Sequence, residues 1–161
     1  MERKQGAVVD AIKDEKRALA LRPSRYEAHA TLAECYEDRS NPAAALAEWA
    51  KALAGDGDVA GPDGTVPHPD WRYEYGKLLM DRGNVGAALP LLLQAATTVE
   101  KSDQRPGWLA HLEVLTAEAL QKSGRKSEAV EHYRRFMEIA PVNSPDRDDA
   151  QAALKRLSVE R

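Results

Sequence analysis

One spacing recurs three times along this 161-residue chain and constrains its fold more than any other feature. A large residue (Tyr36, Leu79 or Leu120) is followed nine positions later by an alanine (Ala45, Ala88 or Ala129). Four residues after each alanine stands a bulky side chain (Trp49, Leu92, Tyr133), and seven after it another packing residue (Ala52, Ala95, Phe136). Three positions before each large residue lies a small one: Ala33, Gly76, Ala117. Steps of three, four and seven place side chains on one helical face. A small residue at matched places on two such faces lets the helices approach closely, and bulky neighbours fill the groove between them. The nine-residue gap leaves room for a turn, and Gly83 and Gly124 sit there, with Ser40 in the first copy. Glycine suits the left-handed conformation that ends a helix. The pattern is that of helix–turn–helix pairs.

The remaining composition agrees. Alanine, leucine, glutamate, lysine and arginine dominate, β-branched residues never alternate over a useful length, and no strand is expected. Apolar residues make up 43% and charged residues 30%, which fits a folded chain. Twenty-three basic against 26 acidic side chains give a formal charge of −3, without the basic stripe that displaces counterions from phosphates, so a nucleic-acid partner is not expected. No apolar run approaches the length of about 20 residues that crosses a bilayer. No apolar signal core follows the first residues, and a cytoplasmic location without membrane insertion is expected.

With its small–large signature, the chain resembles the tetratricopeptide-repeat (TPR) family, whose unit of about 34 residues ends in proline. Pro23 and Pro141 supply that ending, each twelve residues after Ala11 and Ala129. The final packing position recurs at Ala18, Ala52, Ala95 and Phe136, with separations of 34, 43 and 41. The excess falls in the linkers Gly55–Pro69 and Thr97–Gly107, and two repeats lack the proline. The resemblance implies an all-α, right-handed α–α superhelix of three complete hairpins, with a leading half-repeat and a carboxy-terminal capping helix. The expected boundaries are 6–23 for the half-repeat, 25–54, 70–100 and 107–141 for the hairpins, and 145–159 for the cap. Gly6 stands where an inter-helix glycine belongs, so Met1–Gln5 is expected to end a missing helix and the chain to be a carboxy-terminal piece of a larger protein. Pro42 and Pro145 are expected at first helical positions behind Asn41 and Ser144. The last helix, with Ala150, Ala153, Leu154 and Leu157 on one side, reads as a solubilising cap.

Reactive chemistry finds no home. Asp56, Asp58 and Gly61 match the start of a calcium loop, but Ala60 replaces an oxygen ligand and Pro67 stands in place of the bidentate glutamate. No two of His29, His68, His111 and His132 share helical ligand spacing, and Cys35, the single cysteine, has no CxxC partner, so no zinc is expected. Cys35 and Trp49 are expected in the core, as are Trp71 and Trp108. No nucleophile elbow or phosphate loop is present. No catalytic residue, cofactor or metal is assigned.

Surface electrostatics remain. In the TPR family the first helix of each hairpin lines a groove that binds proteins or peptides. The resemblance places Glu27, Ala30, Thr31, Glu34, Glu37 and Asp38 on that face of the first hairpin. Asp70, Tyr73, Glu74, Lys77, Met80 and Asp81 follow on the second, and His111, Val114, Leu115, Glu118, Gln121 and Lys122 on the third. Eight of these are acidic against two lysines, an excess well above that of the whole chain. The family's lysine, arginine and asparagine clamp for a terminal carboxylate is absent. The expected partner is a protein presenting a basic or aromatic-bearing segment. The expected partner-binding residues are Glu27, Thr31, Glu34, Asp38, Asp70, Tyr73, Glu74, Lys77, Asp81, His111, Glu118 and Gln121. Two rival readings are assembly, through self-association of the exposed amino-terminal helix, and a regulatory domain attached to a larger enzyme.

Overall fold

A computed structural model describes residues 2–55, 61–102 and 104–159. Among them are eight α-helices and no strand. The order is α1 (Glu2–Leu21), α2 (Tyr26–Asp38), α3 (Pro42–Gly55), α4 (Pro69–Asp81), α5 (Val85–Lys101), α6 (Leu109–Lys122), α7 (Lys126–Ile139) and α8 (Arg147–Val159). The chain divides into two compact units, one up to Gly61 and the other from Pro62. The first holds α1 to α3 and the second α4 to α8.

The three hairpins α2–α3, α4–α5 and α6–α7 close with one turn chemistry. In the first, Asn41 N–H donates to Tyr36 O at 2.8 Å and Ser40 N–H to Glu37 O at 2.8 Å. Asn84 and Gly83 repeat these bonds to Leu79 and Met80, and Arg125 and Gly124 to Leu120 and Gln121. This is the Schellman ending, which satisfies the last helical carbonyls through one left-handed residue. Gly83 and Gly124 have φ of 74° and 77°, and Ser40 adopts 53° without a glycine's freedom. Asn41 and Asn84 then start the second helices, accepting from the amides of Ala44 and Ala87.

Interlocking follows the spacing read from the sequence. Ala45, Ala88 and Ala129 are each 0% exposed, as are Trp49, Leu92, Leu112 and Leu120. A Cβ built on Gly76 would lie 2.8 Å from Leu92 Cδ2, so only glycine permits that approach of α4 to α5. In the first unit α1 packs on α2 through Ile12, Leu32 and Cys35, bordered by Val8, Ala11, Leu19 and Tyr36. In the second, Ala150, Ala153 and Leu157 of α8 are buried.

Two boundaries differ from expectation. Helix α1 runs through Gly6 from Glu2, so no turn separates residues 2–5 from the rest; nothing packs over Gly6, and a helical glycine costs only about 1 kcal/mol. Met1 lies outside the described residues. Pro145 precedes α8 rather than opening it. Arg147 donates to the carbonyls of Met137 and Ala140, binding the start of α8 to the end of α7. The intervening chain turns from Ser144 to Arg147, and Asp146 O accepts the first helical bond from Ala150 N–H.

The long insertion before α4 is anchored as well. Val66 N–H donates to Thr98 Oγ1 at 3.0 Å and Lys101 Nζ donates to Asp63 O. Asp63 also accepts from the amide and hydroxyl of Thr65. Asp56, Asp58 and Ala60 of the calcium-loop comparison lie outside the described residues.

Candidate interaction faces

Each expected contact residue lies on the first helix of a hairpin or, for Asp70, in its first turn. In the first unit Glu27, Glu34 and Asp38 are exposed on α2, and Thr31 is half-buried, its hydroxyl donating to Glu27 O. These four form one acidic face of a single helix.

In the second unit the residues are drawn together. Tyr73 is only 5% exposed, with its ring stacked on Trp108 at 4.9 Å and edge-on to His111. Its hydroxyl meets His111 Nδ1 at 2.8 Å. Lys77 Nζ sits 5.7 Å from the Tyr73 ring and pairs with Glu74. Tyr73 and Met80 are therefore buried supports rather than exposed anchors. Asp70 and Asp81 are exposed at the ends of α4.

Glu118 and Gln121 line a hollow of about 220 Å³ on α6, α7 and α8. Its walls add Val114, Lys122, Tyr133, Asp146, Asp149, Ala150, Ala152, Ala153 and Arg156. Tyr133 donates to Gln121 Oε1 at 3.0 Å. Desolvation pushes the Glu118 carboxyl up from its ordinary value, and Asp146 and Asp149 add to this against Lys122 and His111. Burial likewise raises the Tyr133 phenol to about 12, with Glu118 contributing. Three acidic side chains (Glu118, Asp146, Asp149) and two basic ones (Lys122, Arg156) thus share the hollow, and its burial disfavours the ionised form of Glu118. Asp146 and Asp149 stand beside Glu118 through the packing of α8 on α6 and α7.

Two polar pairs went unread in the sequence. His29 Nδ1 meets Glu48 Oε2 at 2.6 Å across the first hairpin, and His132 Nδ1 meets Glu113 Oε2 at 2.6 Å across the third. Both pairs span nineteen residues, with the histidine on the first helix in one and on the second in the other. That shared spacing was a legible signal. Burial opposes the Glu48 charge, but hydrogen bonds from Lys51 and His29 outweigh it and hold its pKa below the usual carboxylate value. In the second hairpin the corresponding helix holds Arg72, fully buried, whose Nε donates to Gln94 Oε1 at 3.1 Å.

Cys35 is buried, and desolvation with Asp38, Glu34 and Glu15 nearby raises its thiol pKa, so it packs as a neutral side chain. No group of His, Cys, Asp and Glu suited to a metal occurs among the described residues. No helix among them is long and apolar enough to cross a membrane.

No family model matches the sequence, and no curated protein matches it either. Solved structures do. MamA aligns with a TM-score of 0.70 at 18% identity, over 98% of this chain and 75% of that one. YrrB, described as a TPR protein with an unusual peptide-binding site, gives 0.72 at 19% identity, over 96% and 70%. The nearly identical TPR-like repeats of a putative kinesin light chain from Podosopora anserina give 0.66 at 20%, over 98% and 82%. With its three interlocked hairpins and their shared Schellman turns, the chain has the tetratricopeptide-repeat fold.

Proposed function

We propose that this chain is a non-catalytic scaffold that binds a basic segment of a partner protein on the first-helix faces of its hairpins. The observation that carries the reading is the hollow beside Glu118. It combines three acidic side chains (Glu118, Asp146, Asp149), in excess over Lys122 and Arg156, with an apolar wall of Val114, Ala150 and Ala153. A lysine or arginine side chain suits both parts, its aliphatic stem against the alanines and its charged head among the carboxylates. The acidic face of α2 likewise offers Glu27, Glu34 and Asp38 to basic side chains. A solved protein of this fold, YrrB, is described as having a peptide-binding site, which is consistent with such a role.

Fluorescent peptides that differ only in Lys/Arg, neutral or Asp/Glu content test the reading. The basic series should bind, weaken as salt rises, and weaken further with a Glu118→Lys/Asp149→Lys chain and a Glu34→Lys/Glu74→Lys/Asp81→Lys chain. Equal binding of all three series, or indifference to both variants, would rule against recognition by acidic residues.

A further inference from the structure

We infer that two copies of this chain associate head to tail, with α1 of one completing a hairpin with α8 of the next. The two end helices are complementary halves of one repeat. Ala11, Glu15 and Ala18 of α1 stand thirty-four residues before Ala45, Trp49 and Ala52, which makes α1 a second helix. Gln151 and Leu154 of α8 stand thirty-four residues after Ala117 and Leu120, which makes α8 a first helix. Ala45, Ala52, Ala117 and Leu120 are fully buried. Ala11, Ala18 and Leu154 are only half-buried, and Gln151 is exposed. The positions sealed in the internal hairpins are therefore partly open on α1 and α8 among the described residues. On α8 that face borders an open hollow of about 610 Å³, lined by Arg134, Gln151, Leu154, Lys155 and Ser158.

Charge selects a second copy as the occupant. Within the chain, hairpins carry polar links at two fixed spacings. At twelve residues, Trp49 Nε1 donates to Glu37 and Tyr133 Oη to Gln121. At nineteen lie His29–Glu48 and Glu113–His132. Shifted by the same thirty-four residues, the first link sets Glu15 of one copy opposite Lys155 of the next, and the second sets Asp14 opposite Arg147. Both are opposite charges. Lys155 is exposed, and Arg147 has donors beyond the Nη1 that serves Met137 and Ala140. Glu15 also occupies the place of Tyr133, which touches the helix before it through Gln121 and lines the hollow with α8 after it. Glu15 has the helix after it, where it acts on Cys35 of α2, and the second copy supplies the helix before. Gln151 is bulkier than the alanine it replaces, so the joint is looser than an internal hairpin, and association is reversible.

Sedimentation of the 161-residue chain from low micromolar to millimolar concentration tests this. The mean mass should rise with concentration and fall back when salt is raised. Glu15→Lys alone and Lys155→Glu alone set like charges against each other, and each should weaken association by about tenfold or more. An equimolar mixture of the two variants restores both opposite-charge joints and should regain assembly, which also shows that both are folded. A monomer at every concentration overturns the proposal. So does association that survives either reversal, as a symmetric α1–α1 dimer would under Lys155→Glu.

Discussion

Replacing His132 with alanine should destabilise the second unit by about 3 kcal/mol, and the reason is Glu113 rather than the histidine itself. Glu113 is 5% exposed, and its one hydrogen bond among the described residues is the 2.6 Å contact with His132 Nδ1. Removing one partner of a buried polar pair leaves the other desolvated and unsatisfied, which costs about 1–3 kcal/mol for a neutral group and 3–5 kcal/mol for a charge. The first hairpin provides an internal control. There Glu48 keeps Lys51 as a second partner and is more exposed, so His29→Ala should cost less, about 1 kcal/mol. The two hairpins also show that either order of the pair fits the same geometry. A Glu113→His/His132→Glu exchange should therefore recover most of what the single changes lose, with a coupling of about 2 kcal/mol. Urea unfolding followed by far-UV circular dichroism measures each term. The reasoning fails if His132→Ala is as mild as a surface change, or if the exchanged chain is no better than the sum of its single substitutions.

Further outcomes follow from the turns and the hollow. Ser40→Gly should stabilise the first hairpin by about 1 kcal/mol, because a non-glycine residue at φ 53° is strained and Gly83 and Gly124 hold the equivalent places; an unchanged urea midpoint would contradict this. Glu118→Gln should raise stability at neutral pH. Its carboxyl has a raised folded pKa, so ionised Glu118 is disfavoured in the fold. The sign is that of a group whose favourable contribution is full below its unfolded pKa and lost as pH rises through the folded value. The gain from the glutamine should therefore shrink towards zero as pH falls below about 4. The same substitution should weaken binding of the basic peptides at pH 7, which separates its two effects.

Most of the backbone was legible from spacing because packing leaves a periodic trace. Ala45, Ala88 and Ala129 recur with their bulky neighbours, and each is sealed between helices. Ser40, the non-glycine at a glycine position, was recognisable by its place, and the structure gives it the left-handed φ. Gly6 misled because a glycine at a turn position is equally tolerated on an open helical face, and only tertiary contact distinguishes the two. Pro145 misled because the helix start was set by Arg147 gripping the carbonyls of Met137 and Ala140. The candidate faces were half legible. The acidic residues of α2 and α4 lie on the first helices of their hairpins, whereas Tyr73 is engaged by Trp108 and His111. Asp146 and Asp149 join Glu118 only through the packing of α8, which no spacing within α6 reveals. The histidine pairs leave no short-range trace, because each partner is a carboxylate nineteen residues away on the facing helix.

The central physical claim is that small and bulky side chains interlock within each helix pair. Ala88 and Ala87 are adjacent on α5, one fully buried and the other exposed. Unfolding free energies of Ala88→Leu and Ala87→Leu chains compare the two positions directly. Overpacking at Ala88 should cost about 1–3 kcal/mol, while Ala87 should change by less than about 0.5 kcal/mol. Equal tolerance of leucine at both positions would contradict the interlocked hairpin.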